Sequence, residues 1–170
     1  IMTGQRVRKF ASPLSDTSRG ALSRDGKLLV AAGSDRIAIA EVATGKVIRS
    51  FASQTKEIEA LVLSPDGKVI LTLGDAAVRI WRADTGRLVR TVKVHAETSE
   101  ISFAGDGRFV TGGAGARALK LWDLQTGRLI GSFNDSDISR LTVKPDGRKV
   151  ITASVGRELR VWDLASGASR

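Results

Sequence analysis

Leu119-Lys120-Leu121-Trp122-Asp123-Leu124-Gln125-Thr126-Gly127 is the stretch from which the rest of the chain can be read. Leu, Leu and Asp alternate with Lys, Trp and Leu, a period of two that predicts a β-strand. The Thr-Gly pair that follows supplies a turn, because glycine tolerates the positive φ that tight turns require. The same pattern recurs over Val78–Gly86 and Leu159–Gly167, with Trp81 and Trp162 in the place of Trp122. A fourth version, Ile37–Gly45, carries Ala40 at the tryptophan position. Positions 40, 81, 122 and 162 are 41, 41 and 40 residues apart, so the chain is an internal repeat.

Each Thr-Gly turn leads into another alternating stretch, Val47–Phe51, Leu88–Val92 or Leu129–Phe133. A further strand then ends at an Asp-Gly turn: Asp25-Gly26, Asp66-Gly67, Asp106-Gly107 and Asp146-Gly147. Pro65 and Pro145 precede two of these turns, presetting φ just before the residue that accepts the left-handed conformation. A strand leaves each turn, a short loop follows, and the tryptophan strand returns. The unit is therefore four short antiparallel strands with no helical periodicity. One such unit cannot cover both of its apolar faces, so units must stack, and radial stacking of four-stranded sheets is the β-propeller. The phase places a leading strand at 3–10 and repeats at approximately 11–51, 52–92, 93–133 and 134–170.

Pro-Asp-Gly-Lys at 65–68, followed by Leu-Trp-Asp-Leu and Thr-Gly at the repeat period, resembles the WD-repeat β-propeller family over essentially the whole chain. The signature positions are Trp81, Trp122, Asp123, Trp162 and Asp163, with the turn pairs Asp66-Gly67, Asp106-Gly107 and Asp146-Gly147. The resemblance implies an all-β propeller of four-stranded antiparallel blades, four to the chain. Two features depart from the family. No repeat opens with Gly-His, and His95, near that place in one unit, follows Val94. The family's buried hydrogen-bond set also uses an Asp six residues before the Trp. Asp75 meets that spacing, whereas Ala116 and Gly156 occupy it in the next two units. The expectation is blades that each lack one polar lock.

WD-repeat propellers usually have seven or eight blades, and a blade shared by the two chain ends closes the ring. Four units then suggest two readings. Two chains join head to tail into an eight-bladed homodimer, each lending its Gln5–Phe10 strand to the other's Trp162 blade, or the chain is a piece of a longer propeller. The homodimer hides both open sheet edges.

The 170 residues carry 27 Lys and Arg against 18 Asp and Glu, a net charge of +9. Such a balance suits nucleic acid or another polyanion, but the bases are spread over all repeats with no block of like charge, as on a solvated surface. No cysteine is present, which excludes disulfides and thiolate chemistry. No apolar run reaches the ~18 residues of a membrane span, and no signal-peptide pattern is read in these residues, so no membrane partner is expected and the expected location is cytoplasmic. The Arg-, Gly- and Ala-rich composition suggests a bacterial origin, where the resemblance implies frequent fusion to signalling domains.

One histidine, no cysteine and no tyrosine leave few nucleophile–base pairs. No catalytic residue, cofactor or metal ligand is expected. Asp135-Ser136-Asp137 reads as a polar loop rather than a cation site. Gly112-Gly113-Ala114-Gly115-Ala116 leads into a strand and lacks the Lys-Ser/Thr ending of a phosphate loop. An enzyme site in the central channel would need polar groups on the innermost strands, where Leu22, Leu61, Leu63, Ile101, Phe103, Leu141 and Val143 stand instead. The expected function is a non-enzymatic scaffold. The resemblance implies that a protein or peptide partner docks on the rim near the start of each innermost strand, at Arg19, Glu59, Glu100 and Arg140.

Overall fold

The computed structural model describes residues 14, 16–105, 107–116, 118–135, 138–154 and 158–165. These form four antiparallel sheets. The first joins β1 (Arg19–Leu22), β2 (Leu28–Ala32), β3 (Arg36–Glu41) and β4 (Val47–Ala52) in that order. The second joins β5 (Ala60–Leu63), β6 (Val69–Gly74), β7 (Ala77–Arg82) and β8 (Leu88–Lys93). The third joins β9 (Glu100–Ala104), β10 (Arg108–Gly112), β11 (Leu119–Asp123) and β12 (Leu129–Phe133). The fourth has three strands among the described residues, β13 (Ile138–Val143), β14 (Lys149–Ser154) and β15 (Leu159–Asp163). The leading strand expected at 3–10, Asp106 and the Ser166-Gly167 turn lie outside the described residues.

The turn chemistry is local. Ser23 Oγ donates to Asp25 Oδ1 at 2.6 Å and accepts from the Leu28 N–H, while Asp25 Oδ1 accepts from the Lys27 N–H at 3.0 Å. Ser64 and Asp66 repeat the arrangement around Gly67. Gly26, Gly67, Gly107 and Gly147 all take φ near 70°, which an L side chain adopts only with strain. In the third turn Ala104 replaces the serine, so that turn lacks the hydroxyl clasp.

The sheets stack through three cores. Val30, Ile37 and Ile39 of the first sheet meet Ile58, Leu61, Ile70 and Trp81 of the second. Leu71, Val78, Ile80 and Val92 meet Ile101, Phe109 and Trp122, and Val110, Leu119 and Leu121 meet Ile138, Val150 and Trp162. Each tryptophan thus presses against the preceding sheet. Phe51 on β4 packs against Trp81 with ring centroids 5.3 Å apart, and Phe133 on β12 against Trp162 at 6.0 Å. The second sheet offers the smaller Val92 instead, and Phe109 stacks on Trp122 at 6.1 Å within its own sheet. One aromatic partner is kept at each tryptophan, from whichever strand supplies it. Leu61 and Ile101 are buried in these cores, and Leu63, Phe103, Leu141 and Val143 pack against them. They are interface residues, which corrects the reading that placed them along a channel.

The polar locks are also redistributed. Trp81, Trp122 and Trp162 each donate an indole N–H to a buried threonine, Thr72, Thr111 and Thr152, at 2.9–3.0 Å. Asp75, the aspartate with the family spacing, reaches neither Thr72 nor Trp81. It accepts from Thr55 Oγ1 at 2.6 Å and lies 3.8 Å from Arg79. In the fourth sheet the lock is built by Asp135, 1% exposed, which accepts from Thr152 Oγ1, from the Trp162 indole at 3.2 Å and from Arg160. The expectation that every blade lacks a lock is therefore corrected for the fourth, whose aspartate enters from the segment before β13. In the first sheet the matching positions are Leu14, Ala31, Ala38 and Ala40, an apolar replacement of the whole set.

The innermost strands β1, β5, β9 and β13 contact one another in sequence, as the inner edges of propeller blades do. The described sheets do not close a ring. Val30, Ile37 and Ile39, like their counterparts in the next two sheets, are at most 3% exposed, whereas Ile151, Leu159 and Val161 of the fourth are 38%, 74% and 36% exposed.

Candidate functional site

Strand polarity gives the stack two chemically different ends. Backbone N–H groups of Val42, Ala83, Leu124 and Leu164 donate to carbonyls of Lys27, Lys68, Gly107 and Arg148, which ties each Thr-Gly-side turn to the Asp-Gly turn of its own sheet. Both turn families therefore share one end. At the opposite end, the rim, Ser18, Glu59 and Ser99 donate backbone N–H groups to Ala32, Leu73 and Gly112 as the chain enters β1, β5 and β9.

The rim brings together the four residues singled out from sequence. Arg19, Glu59, Glu100 and Arg140 line one open depression of 570 Å³ with Leu61, Ser99 and Ile101. The two arginines are built alike. Arg19 Nη1 donates to the Ser18 carbonyl at 2.9 Å, and its Nε reaches across to the Glu59 carbonyl at 2.6 Å. Arg140 Nη1 donates to the Ser139 carbonyl at 2.8 Å and to Glu100 Oε1 at 3.0 Å. Each leans from an outer position of the arc toward β5 or β9, so the positive groups bracket the two carboxylates. Burial, and then the carboxylates of Glu57 and Asp75, push the Glu59 carboxyl above its ordinary range, and Arg19 opposes them. In the Arg140–Glu100 pair the Arg140 side chain is 80% exposed and the Glu100 side chain 20%, so solvent screens the pair from the arginine side and it orients the groups more than it stabilises the fold.

Such a surface presents hydrogen-bond donors and acceptors of both signs over an apolar floor. His95 lies exposed in the loop before β9, where its Nδ1 accepts from the Glu97 N–H at 3.2 Å. No group of His, Cys, Asp and Glu suited to a metal ion occurs among the described residues. Trp81, Trp122 and Trp162 are buried in the inter-sheet cores and reach no rim.

Comparison with protein families places residues 45–82 and 126–163 each in a match to the family described as WD domain, G-beta repeat. The chain carries WD repeats. Each matched WD repeat runs from a Thr-Gly turn through β4 to β7, or β12 to β15, so it begins in one sheet and finishes in the next. That stagger makes every WD repeat a covalent tie across an inter-sheet core. The unit ending at Ala40 and the unit ending at Trp122 lie outside the matches. WD repeats generally serve as scaffolds for protein–protein interaction. Comparison with curated proteins gives no match.

Sequence reasoning missed three features. From sequence Asp135 reads as loop polarity, although Asp135, Thr152, Arg160 and Trp162 form one network; the spacing carries a signal, since His95 and Asp135 each stand 27 residues before the tryptophan of their unit. Arg49 on β4 donates to the Thr85 carbonyl of the next sheet, and Arg90 on β8 lies over Gly127 in the same way. These contacts span units and have no local signature. The third is a groove at the turn end, between successive Asp-Gly hairpins.

Proposed function

We propose that this chain is a non-enzymatic scaffold that holds a protein or peptide partner on its rim. The observation that supports the reading is the convergence of Arg19, Glu59, Glu100 and Arg140 around one depression. A partner there replaces water at both arginines and both carboxylates while covering the half-buried Ala60 and Val62, the apolar-centre, polar-border pattern of protein interfaces. The charged border sets register and on-rate more than raw affinity. The test is selection of a displayed random-peptide library on the immobilised protein, followed by binding of the selected peptides to a Glu100→Arg/Arg140→Glu double variant and to the single Arg140→Glu variant. The reading expects the peptides to lose binding to Arg140→Glu. Peptides that bind both variants as well as the parent, or a library that yields no binder, contradict it.

A second reading concerns assembly. The exposed Ile151, Leu159 and Val161 occupy positions that the other three sheets bury against the next tryptophan. We infer that the fourth sheet is completed by another WD-type unit, supplied by pairing of two chains or by further repeats. The first sheet is not an equal counterpart to the second or third in such pairing. It presents Gly20, Ala31, Ala38 and Ala40 where the second presents Leu61, Thr72, Arg79 and Trp81, so a head-to-tail junction between chains lacks the tryptophan of the internal ones.

A further inference from the structure

Among the described residues, the outer face of the fourth sheet has no neighbour. Ile151 on β14 and Leu159 and Val161 on β15 are 38%, 74% and 36% exposed. Their counterparts in the other sheets, such as Leu71, Val78 and Ile80 in the second, are at most 3% exposed and pack on the sheet that follows. An internal junction of this kind sets the outer face of one sheet against the tryptophan face of the next. The tryptophan faces of the second, third and fourth sheets are all taken up inside the chain. The matching face of the first sheet is closed, since Ala31, Ala38 and Ala40 are at most 2% exposed and Leu14 packs on the first two. A second copy of the chain therefore has no tryptophan face to bring to the fourth sheet. The apolar sheet face it has open is its own fourth. Contact between like faces is isologous, and it closes at two chains instead of growing.

The register of β14 with β15 makes that face complementary to itself. Lys149 pairs with Asp163, Ile151 with Val161, and Ala153 with Leu159. These six alternate along their strands with Val150, Thr152 and Trp162, which are turned toward the third sheet, so they share the outer face. A two-fold axis along the strands, midway between β14 and β15, exchanges the two strands. It sets Ile151 over the second copy's Val161, the large Leu159 over the small Ala153, and Lys149 over Asp163, each contact made twice. Sheets packed face to face with their strands nearly aligned meet in this way. Asp163 also accepts from the Ala165 N–H at 2.9 Å, a bond that leaves its charge in place. Thr142 and Arg140 on β13 lie beyond the exchanged pair and form a polar border.

We propose that the outer face of the fourth sheet binds the same face of a second copy of this chain, with β14 of each lying over β15 of the other. The proposal rests on the reading that this sheet is completed by another unit, and it replaces a head-to-tail ring with a closed pair. Aliphatic side chains form the centre of the contact, and the opposite charges at its edge fix the register.

Sedimentation equilibrium of the intact chain over a range of concentrations, with circular dichroism as the check on folding, tests the pairing through complementation between variants. The proposal expects a parent mass that stops at twice 18.1 kDa. Ala153→Leu alone sets leucine on leucine, and Leu159→Ala alone leaves alanine on alanine, so each should weaken association about tenfold. Their equimolar mixture should regain the parent's affinity, because every leucine then meets an alanine. Lys149→Glu, which faces Asp163 with a like charge, should weaken association as well, and an unaltered affinity in that variant overturns the proposal. A mass that climbs past two chains with concentration means head-to-tail growth and overturns it too. So does a two-chain mass whose size variants fail to complement in the mixture. If Leu159→Glu/Val161→Glu still dissociates that pair, the reading of an uncovered fourth sheet survives without this geometry. A single-chain mass at every concentration overturns both.

Discussion

Asp135→Ala should destabilise the chain far more than Asp75→Ala, although Asp75 is the aspartate that stands at the family spacing. Asp135 is 1% exposed and receives hydrogen bonds from Thr152 Oγ1, the Trp162 indole and Arg160. Truncation leaves the Thr152 hydroxyl with the Trp162 indole as its remaining partner and strips Arg160 of one of its two carboxylates, Glu158 being the other. Hydrogen bonds to a charged group are worth about 1.5–3 kcal/mol each, and breaking a fully buried ion pair costs about 3–5 kcal/mol. Arg160 is 35% exposed and can turn toward water, which places the loss below the range for a fully buried pair, at about 2–3 kcal/mol. Asp75 is half exposed, its partners being Thr55 and, at 3.8 Å, the largely buried Arg79, which keeps a bond to the Gly74 carbonyl when the carboxylate is lost, and its removal should cost about 0.5–1 kcal/mol. Asp135→Asn keeps an acceptor for Thr152 or Trp162 and should fall between the two. Urea unfolding of the three variants against the parent, compared at unchanged m-value, reads these differences. Equal losses for Asp135→Ala and Asp75→Ala would refute the claim that the fourth sheet is locked from the segment before β13.

The tryptophan interfaces and the turns give three more expectations. Trp81→Ala and Trp162→Ala should each cost about 3–5 kcal/mol, as core aromatic truncations do, whereas Ala40→Trp, which restores the repeat consensus, should destabilise by about 1–3 kcal/mol because Ala31, Ala38 and Ala40 are already buried; a stabilised Ala40→Trp variant on thermal unfolding contradicts the packing described. Gly67→Ala, at φ 72° with nothing near its added Cβ, should cost about 1–2 kcal/mol from backbone strain. Gly86→Ala should cost more, since its Cβ would also fall 2.6 Å from Phe51 Cδ1, and the difference between the two midpoints in urea measures that contact. The Asp25 and Asp66 carboxyls are held below their ordinary range chiefly by Ser23 and Ser64, then by backbone N–H groups of Lys27 and Lys68. A depressed folded value adds stability above the unfolded value and loses it as pH falls through the folded one, so stability should decline through the acid range below the normal aspartate pKa. In Asp66→Asn that decline should be shallower, and an unchanged slope in urea titrations at successive pH values counts against the turn clasp.

The repeat was legible because its signals are local. A period of two, a glycine at each turn and a tryptophan at a fixed place in three of the four units specify strands and turns without knowledge of anything distant, and the four-sheet order follows from the short connections. What failed to show was whatever depends on two units at once. Asp135 looks like loop polarity until Thr152 and Trp162 are folded over it, and Leu61 and Ile101 look channel-facing until the neighbouring sheet covers them. The rim residues came from the phase of the repeat, and their convergence with Leu61 and Ile101 in one depression needed the three-dimensional arc.

The account rests on sheets that are stabilised by their neighbours, with the fourth left uncovered at Ile151, Leu159 and Val161. Light scattering after gel filtration, on the parent and on a Leu159→Glu/Val161→Glu variant, tests that most directly. The account predicts a parent mass above the 18.1 kDa of one chain and a variant that is folded by circular dichroism and runs as a single chain. A parent that is monomeric and as stable as the variant would contradict it, because an apolar face of that size would then need no neighbour.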